Sequence, residues 1–104
     1  MDFDIDVSAM NSFIEGQSTI LNCNYTENIN ETIIEETIWY FQYNPINYQI
    51  MNVKLLNKNL TLKINYLNHS IHDGYYACAI SLKSGIVLFS YATEIKTECS
   101  YSLY

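Results

Sequence analysis

Arginine is absent from this chain of 104 residues, and five lysines stand against eleven acids for a net charge of −6. That balance removes the electrostatic attraction that binding to nucleic acids and to anionic membranes requires, so DNA, RNA and lipid are not expected partners. An acidic surface favours a partner with a basic patch, although a charge of this size also simply keeps a small domain soluble. No run of 18 or more apolar residues occurs, so no membrane-spanning helix is expected. Nor does the chain start with a positively charged segment followed by an apolar run. No signal peptide is expected in it, and a secretory signal cut away earlier would leave Met1 as a start added to a mature domain. Glycine and proline are scarce, at three and one, and there is no low-complexity linker. The length admits one domain with one core. Ile, Asn and Tyr supply 36 residues, the bias expected from an A/T-rich genome such as that of a large DNA virus.

What is present is mostly period-two alternation, the pattern of half-buried strands. Asp2 to Met10 sets Phe3, Ile5, Val7 and Ala9 against Asp2, Asp4, Asp6 and Ser8, which reads as a first strand with acids outward. A turn at Glu15-Gly16-Gln17 leads to a strand over Ser18 to Tyr25. The segment Thr26 to Thr37 carries Glu27, Glu31, Glu35 and Glu36 and reads as a long exposed connection. Further strands are expected over Ile38 to Tyr43, Tyr48 to Val53, Asn59 to Leu67, Gly74 to Leu82 and Ile86 to Ile95. Between them lie turns at Asn44-Pro45 and Lys83-Ser84-Gly85 and a polar connection from Lys54 to Lys58. The fold class is therefore all-β.

Catalysis needs a nucleophile with its base, paired carboxylates in a cleft, or a bound metal, and none is visible, so no enzymatic activity and no cofactor are expected. His69-Ser70-Ile71-His72-Asp73 offers three metal-ligand types within five residues but no recognised ligand spacing. It reads as an exposed loop. Three cysteines fit an oxidising compartment, where two can form a staple and the third can bond to another chain. Four Asn-x-Ser/Thr sites at Asn24, Asn30, Asn59 and Asn68 point the same way, toward a secreted or extracellular glycoprotein.

Gly16-x-x-x-x-Leu21-x-Cys23, Trp39-Tyr40-Phe41-Gln42, Leu62-x-Ile64-x-x-Leu67 and Asp73-Gly74-x-Tyr76-x-Cys78 together resemble the immunoglobulin superfamily over nearly the whole chain. The resemblance implies an immunoglobulin-like β-sandwich of an intermediate or constant-like set, occupying residues 1–98, with a tail at 99–104. It implies that Cys23 and Cys78, 55 residues apart, bridge the sheets, that Trp39 packs on the bridge and that Tyr76 anchors a corner. Two departures stand out. His72 occupies the place of the usual acid six positions before the second cysteine, with Asp73 one step late, and the last strand lacks a Gly-x-Gly bulge.

With Trp39 inward, alternation sends Ile38, Tyr40 and Gln42 outward, and with Tyr76, Cys78 and Ile80 inward it sends Tyr75, Ala77 and Ala79 outward. An apolar sheet face of this kind needs a cover, and tyrosine is favoured at interface hot spots. Adding Tyr43, Tyr48, Ile50 and Met51 extends it to a continuous patch, unless some of these tyrosines pack across strands or under a loop. Within the superfamily, the spare cysteine, the sequons and the compositional bias resemble the poxviral interleukin-18-binding proteins. That resemblance implies a secreted decoy covering the receptor-binding surface of a cytokine, interleukin-18, with Ile38 and Tyr40 at the site and Tyr48 or Ile46 as the inserted anchor. It leaves Cys99 free to link a disulfide-bonded homodimer. The competing expectation is the ectodomain of a cell-surface immune or adhesion receptor.

Overall fold

The strand Thr19–Tyr25 (β2) buries Leu21 and Cys23 and turns Asn22 and Asn24 outward, so one face of its sheet is apolar and must be covered. The computed structural model of the chain describes residues 5–10, 12–26 and 29–98. On one side β2 pairs with β1 (Ile5–Ala9) and on the other with β6 (Thr61–Ile64), all antiparallel. β5 (Val53–Leu56) completes this first sheet in the order β1-β2-β6-β5. The second sheet is built on β3 (Ile34–Phe41) and β7 (Gly74–Leu82), which pair along most of their length. The two-residue β4 (Asn44–Pro45) lies on the outer side of β3, and β8 (Val87–Phe89) and β9 (Thr93–Ile95) share the other side of β7. A parallel bridge from Ile14 to Glu98 joins the segment after β1 to the segment after β9.

Between the sheets lie Leu21, Leu62 and Ile64 from the first and Trp39, Tyr76, Ile80 and Ile95 from the second, all fully buried. Cys23 and Cys78 form a disulfide across this core, and Trp39 sits opposite Cys78 in the β3–β7 register. The indole N–H of Trp39 donates to the Asn59 carbonyl at 2.9 Å, which satisfies the one polar group this side chain buries. Tyr76 donates its hydroxyl to the His72 carbonyl at 2.7 Å. Burial, and next to it the charge of Asp73, pushes its phenol far above the ordinary range.

Several sequence expectations are corrected. Tyr48 to Val53 is not a strand. Tyr48–Met51 forms a helical turn (α1), because the Asn47 side chain accepts the Ile50 N–H at 3.0 Å and so caps it, and Asn52 in the left-handed region ends it. Lys54 to Lys58 is not a loop throughout, since Val53 and Leu55 alternate inward opposite Ile64 and Leu62 and make β5 the fourth strand of the first sheet. The turn after β3 is Gln42–Tyr43, both at positive φ, and Asn44–Pro45 is the short strand that follows. The long connection before β3 ends four residues earlier than Thr37, in a 3-10 turn at Glu31–Ile33 that Asn30 caps. The strand expected over Ile86 to Ile95 is broken at Ser90, whose hydroxyl accepts the Cys78 N–H.

The segment expected to be an exposed loop is a second helical turn, His69–His72 (α2), with His72 only 2% exposed. Its Nδ1 accepts the Asn68 N–H at 3.0 Å, so Nε2 carries the proton and donates to the Met51 carbonyl at 2.7 Å. The histidine therefore ties α2 to α1, and Asp73 beside it accepts the backbone and side-chain donors of Thr97 at 3.0 and 2.9 Å. Phe3, Glu27 and Cys99, with the tail at 99–104, lie outside the described residues.

Candidate interaction face

On β7 the outward positions are small where those of its neighbours are large. The registers set Ile38 and Tyr40 of β3 opposite Ala79 and Ala77, and Phe89 of β8 opposite Ala79 on the far side. Small residues flanked by aromatics leave a trough of about 200 Å³ lined by Tyr40, Tyr43, Ala77, Phe89, Ser90 and Ala92. Phe89 is 52% exposed, Tyr75 42% and Tyr43 75%. Tyr40 and Phe89 approach with ring centroids 6.2 Å apart, and Tyr43 stacks over Tyr75 at 6.5 Å. Val87 continues the exposed row beside Ser81.

The position of Tyr43 is set by backbone geometry that a side chain seldom adopts. Gln42 and Tyr43 sit at φ 52° and 65°, which suits the twist of a two-residue hairpin but normally calls for glycine or asparagine. A reciprocal pair of hydrogen bonds secures the turn, Gln42 N–H to the Tyr75 carbonyl at 2.9 Å and Tyr75 N–H to the Gln42 side-chain oxygen at 2.7 Å. Gly74 permits this approach. At φ +149°, a Cβ there would lie 2.5 Å from the Gln42 side-chain oxygen and 2.7 Å from the Phe41 ring.

Of the residues expected to form the patch, Ile38, Tyr40, Tyr43, Tyr75 and Ala77 share this face. Gln42 works at its rim as the clasp just described. Ala79 lies on the face but is fully buried, beneath the larger side chains in its row. Ile46 and Met51 are core residues, because α1 folds back onto the sandwich in place of the extended strand that would have turned them outward. Tyr48 packs partly against the core, where burial raises its phenol, a backbone hydrogen bond with Trp39 opposes the rise, and the charge of Glu36 adds to it. Ile50 is exposed but lines a separate hollow of about 430 Å³ with Ile71 of α2. Val87 and Phe89 were missed. The signal was available, since Leu88 packs against the core and alternation sends both its neighbours outward.

No protein-family model matches the chain, and no curated protein sequence does. Solved structures do. Extracellular domains 3–5 of Drosophila OTK align over 93% of this chain and 37% of that one, with a TM-score of 0.62 and 17% identity. The insect immune protein hemolin, whose domain arrangement has implications for homophilic adhesion, aligns over 93% of this chain and 24% of that one, with a TM-score of 0.65 and 21% identity. The fold is immunoglobulin-like. The chain spans well under half the length of either neighbour, and at these identities the likeness is one of architecture.

All four sequon asparagines of this immunoglobulin-like domain lie off the aromatic face. Asn24 projects from the outer side of the first sheet, where its amide donates to Ser8 Oγ at 2.8 Å. Asn30 and Asn59 flank the end of the molecule where Lys58 pairs with Glu31. Asn68 caps α2 at the opposite turn. Among the described residues, no group of three or more His, Cys, Asp or Glu is placed to hold a metal, and no helix is long and apolar enough to cross a membrane.

Proposed function

We propose that this is an extracellular recognition domain that binds a protein partner through the outer face of β3, β7 and β8, as part of a cell-surface immune or adhesion protein. The observation that carries the reading is the exposed run of Tyr43, Tyr75, Val87 and Phe89, with the half-buried Tyr40 and the small Ala77 between them. Rings on a rigid sheet bury large area at small entropic cost, and a trough between them gives a partner side chain a seat. A partner interface of standard size covers roughly 800 Å² on each side, within reach of one sheet face. The positions of Asn24, Asn30, Asn59 and Asn68 support the reading, since glycans attached there leave the face clear. The solved neighbours support it through an extracellular segment in one case and an immune protein linked to adhesion in the other. Fluorescent tetramers of the chain are expected to label cells that display the partner. Labelling that survived Tyr43→Ala with Phe89→Ala, but was lost on changing Asn22 and Lys63, would move the site to the opposite sheet.

A second reading, a secreted decoy that sequesters interleukin-18, is favoured by one feature, the aromatic held out at the turn after β3. In the structure that residue is Tyr43, while Ile46 is in the core and Tyr48 is half-buried. Mixing the chain with interleukin-18 and weighing the product by light scattering separates the readings. A complex lost in Tyr43→Ala supports the decoy. A complex of two chains with two ligands, reduced to one with one by Cys99→Ser, would assign Cys99 to a disulfide-linked dimer.

A further inference from the structure

The second sheet has an edge that its own strands leave open. β4 pairs only with Tyr40 and Phe41 of β3, and the Ile46 N–H donates to the Trp39 carbonyl at 3.1 Å, which closes the edge at that point. Backbone groups of alternate residues face the same side of a strand, so Thr37 turns its N–H and carbonyl toward the same edge as Trp39. There, from Ile34 to Ile38, no strand lies beside β3 among the described residues. The open stretch is roughly 17 Å long at the usual rise per residue.

Beside it runs a groove of about 460 Å³, between β3 and the turn from Lys58 to Leu60. That turn is held away from the edge by its own geometry. Asn57, Lys58 and Asn59 are all at positive φ, the Asn59 carbonyl is taken by Trp39, and Lys58 is engaged by Glu31. Glu35 and Glu36 are exposed, line the groove and make no ion pair among the described residues, and against them stands Lys83, which also lines the groove, so its unpaired charges are two acids to one base. Glu35 is the extra residue of a bulge between Ile34 and Glu36. Charged side chains and bulges on an edge discourage indiscriminate strand pairing, and the same acids select for positive charge in what does pair.

We infer that this edge is a second binding site, one that takes an extended peptide segment of a protein partner as an added strand beside β3, with basic side chains set against Glu35 and Glu36. The backbone groups of Thr37 commit the occupant to an extended chain, because only another backbone matches a strand edge along its length. The two acids commit it to Lys or Arg. The site is independent of the aromatic face, and a glycan on Asn59, which lines the groove, would cover it.

The test uses the unglycosylated full chain and a fluorescein-labelled ten-residue peptide of alternating Lys and Val, read by anisotropy. Four controls accompany it: the same peptide N-methylated at alternate residues, an alternating Glu and Val peptide, the double variant Glu35→Lys with Glu36→Lys, and the variant Phe89→Ala. The basic peptide is expected to bind. N-methylation should weaken it at least about tenfold, the double charge reversal should weaken it similarly and transfer preference to the acidic peptide, and Phe89→Ala should change nothing. No binding at roughly 1 mM, indifference to N-methylation or to charge reversal, or dependence on Phe89 overturns the inference. Failure of the aromatic face as a partner site would appear in the tetramer experiment and leave this one untouched.

Discussion

The two outer faces of the sandwich rest on one core and present opposite surfaces. On the β1-β2-β6-β5 face the outward rows read Asp6 beside Asn24, Ser8 beside Asn22, and Lys54 beside Lys63. Its polar groups answer one another, as when Thr61 Oγ1 donates to Asn22 Oδ1 at 2.8 Å. Ile20 and Leu56 are its exposed apolar residues, and single exposed apolar side chains are ordinary on protein surfaces. On the β3-β7-β8 face the corresponding rows are Ile38, Ala79 and Phe89, then Tyr40 and Ala77. Neither stability nor solubility calls for that second composition, because the inward positions of both sheets already fill the core. The difference is the ground for placing the proposed partner on that face.

The largest expected effect removes what the faces share. Replacing Cys23 and Cys78 together by alanine should cost about 2–5 kcal/mol, since the bond closes a long loop in the unfolded chain and its loss leaves space beside Trp39. Thermal melting should fall for the domain as a whole, and binding at both faces should fall with it. Unchanged melting would mean that packing alone holds the sheets together. Next in size is a change that separates the faces. Phe89→Ala or Tyr40→Ala should weaken partner binding by about 2 kcal/mol if either is a hot spot, with little change in melting. Lys54→Ala and Asn22→Ala should leave binding as it was. Equal losses on both faces would dissolve the contrast.

How much of this was legible depended on what sets each residue's direction. The sandwich, its disulfide and the inward set Leu21, Trp39, Tyr76 and Ile80 could be read because alternation and the motif spacing agree. The segment from Ile46 to Leu56 could not. Tyr48 to Val53 was expected to be a strand, but the Asn47 cap and the left-handed Asn52 won locally and buried Met51 instead. The true strand, Val53–Leu56, was hidden because Lys54 and Lys58 gave it a polar look. On the face itself, Tyr43 was named as a member of a strand, whereas its prominence comes from a hairpin turn that Gly74 makes possible by having no Cβ. His72 was noticed as a departure from the familiar pattern, but its use as a buried tie between two helical turns depends on α1, which the sequence did not reveal.

A smaller effect sharpens the polar side of the contrast. Lys54 and Lys63 stand directly opposite each other on β5 and β6, and like charges across a strand pair are unfavourable. Lys54→Glu should therefore raise stability by about 0.2–1 kcal/mol, measured by urea unfolding, and leave partner binding at the aromatic face unchanged. A loss of stability would show that Lys54 contributes through its aliphatic stem.

The smallest effect concerns the ion pair at the rim of the open edge. The hydrogen bond and charge of Lys58 hold the Glu31 carboxyl below its ordinary value, and Glu31 in turn raises Lys58. A carboxyl lowered on folding contributes stability above its unfolded value of 4.5 and loses it as the pH falls through the lower folded value. An ammonium raised on folding contributes below its unfolded value of 10.5 and loses it as the pH rises through the higher folded value. Glu31→Gln should thus lower melting slightly between these limits, and the difference from the unaltered chain should close at strongly acid pH, where Glu31 is protonated. Both side chains are well exposed, so added salt should shrink the difference as well. A difference that persisted in acid would mean that Glu31 acts through the shape of the 3-10 turn and not through its charge, and the wall of the groove would then depend on the Asn30 cap in place of Lys58.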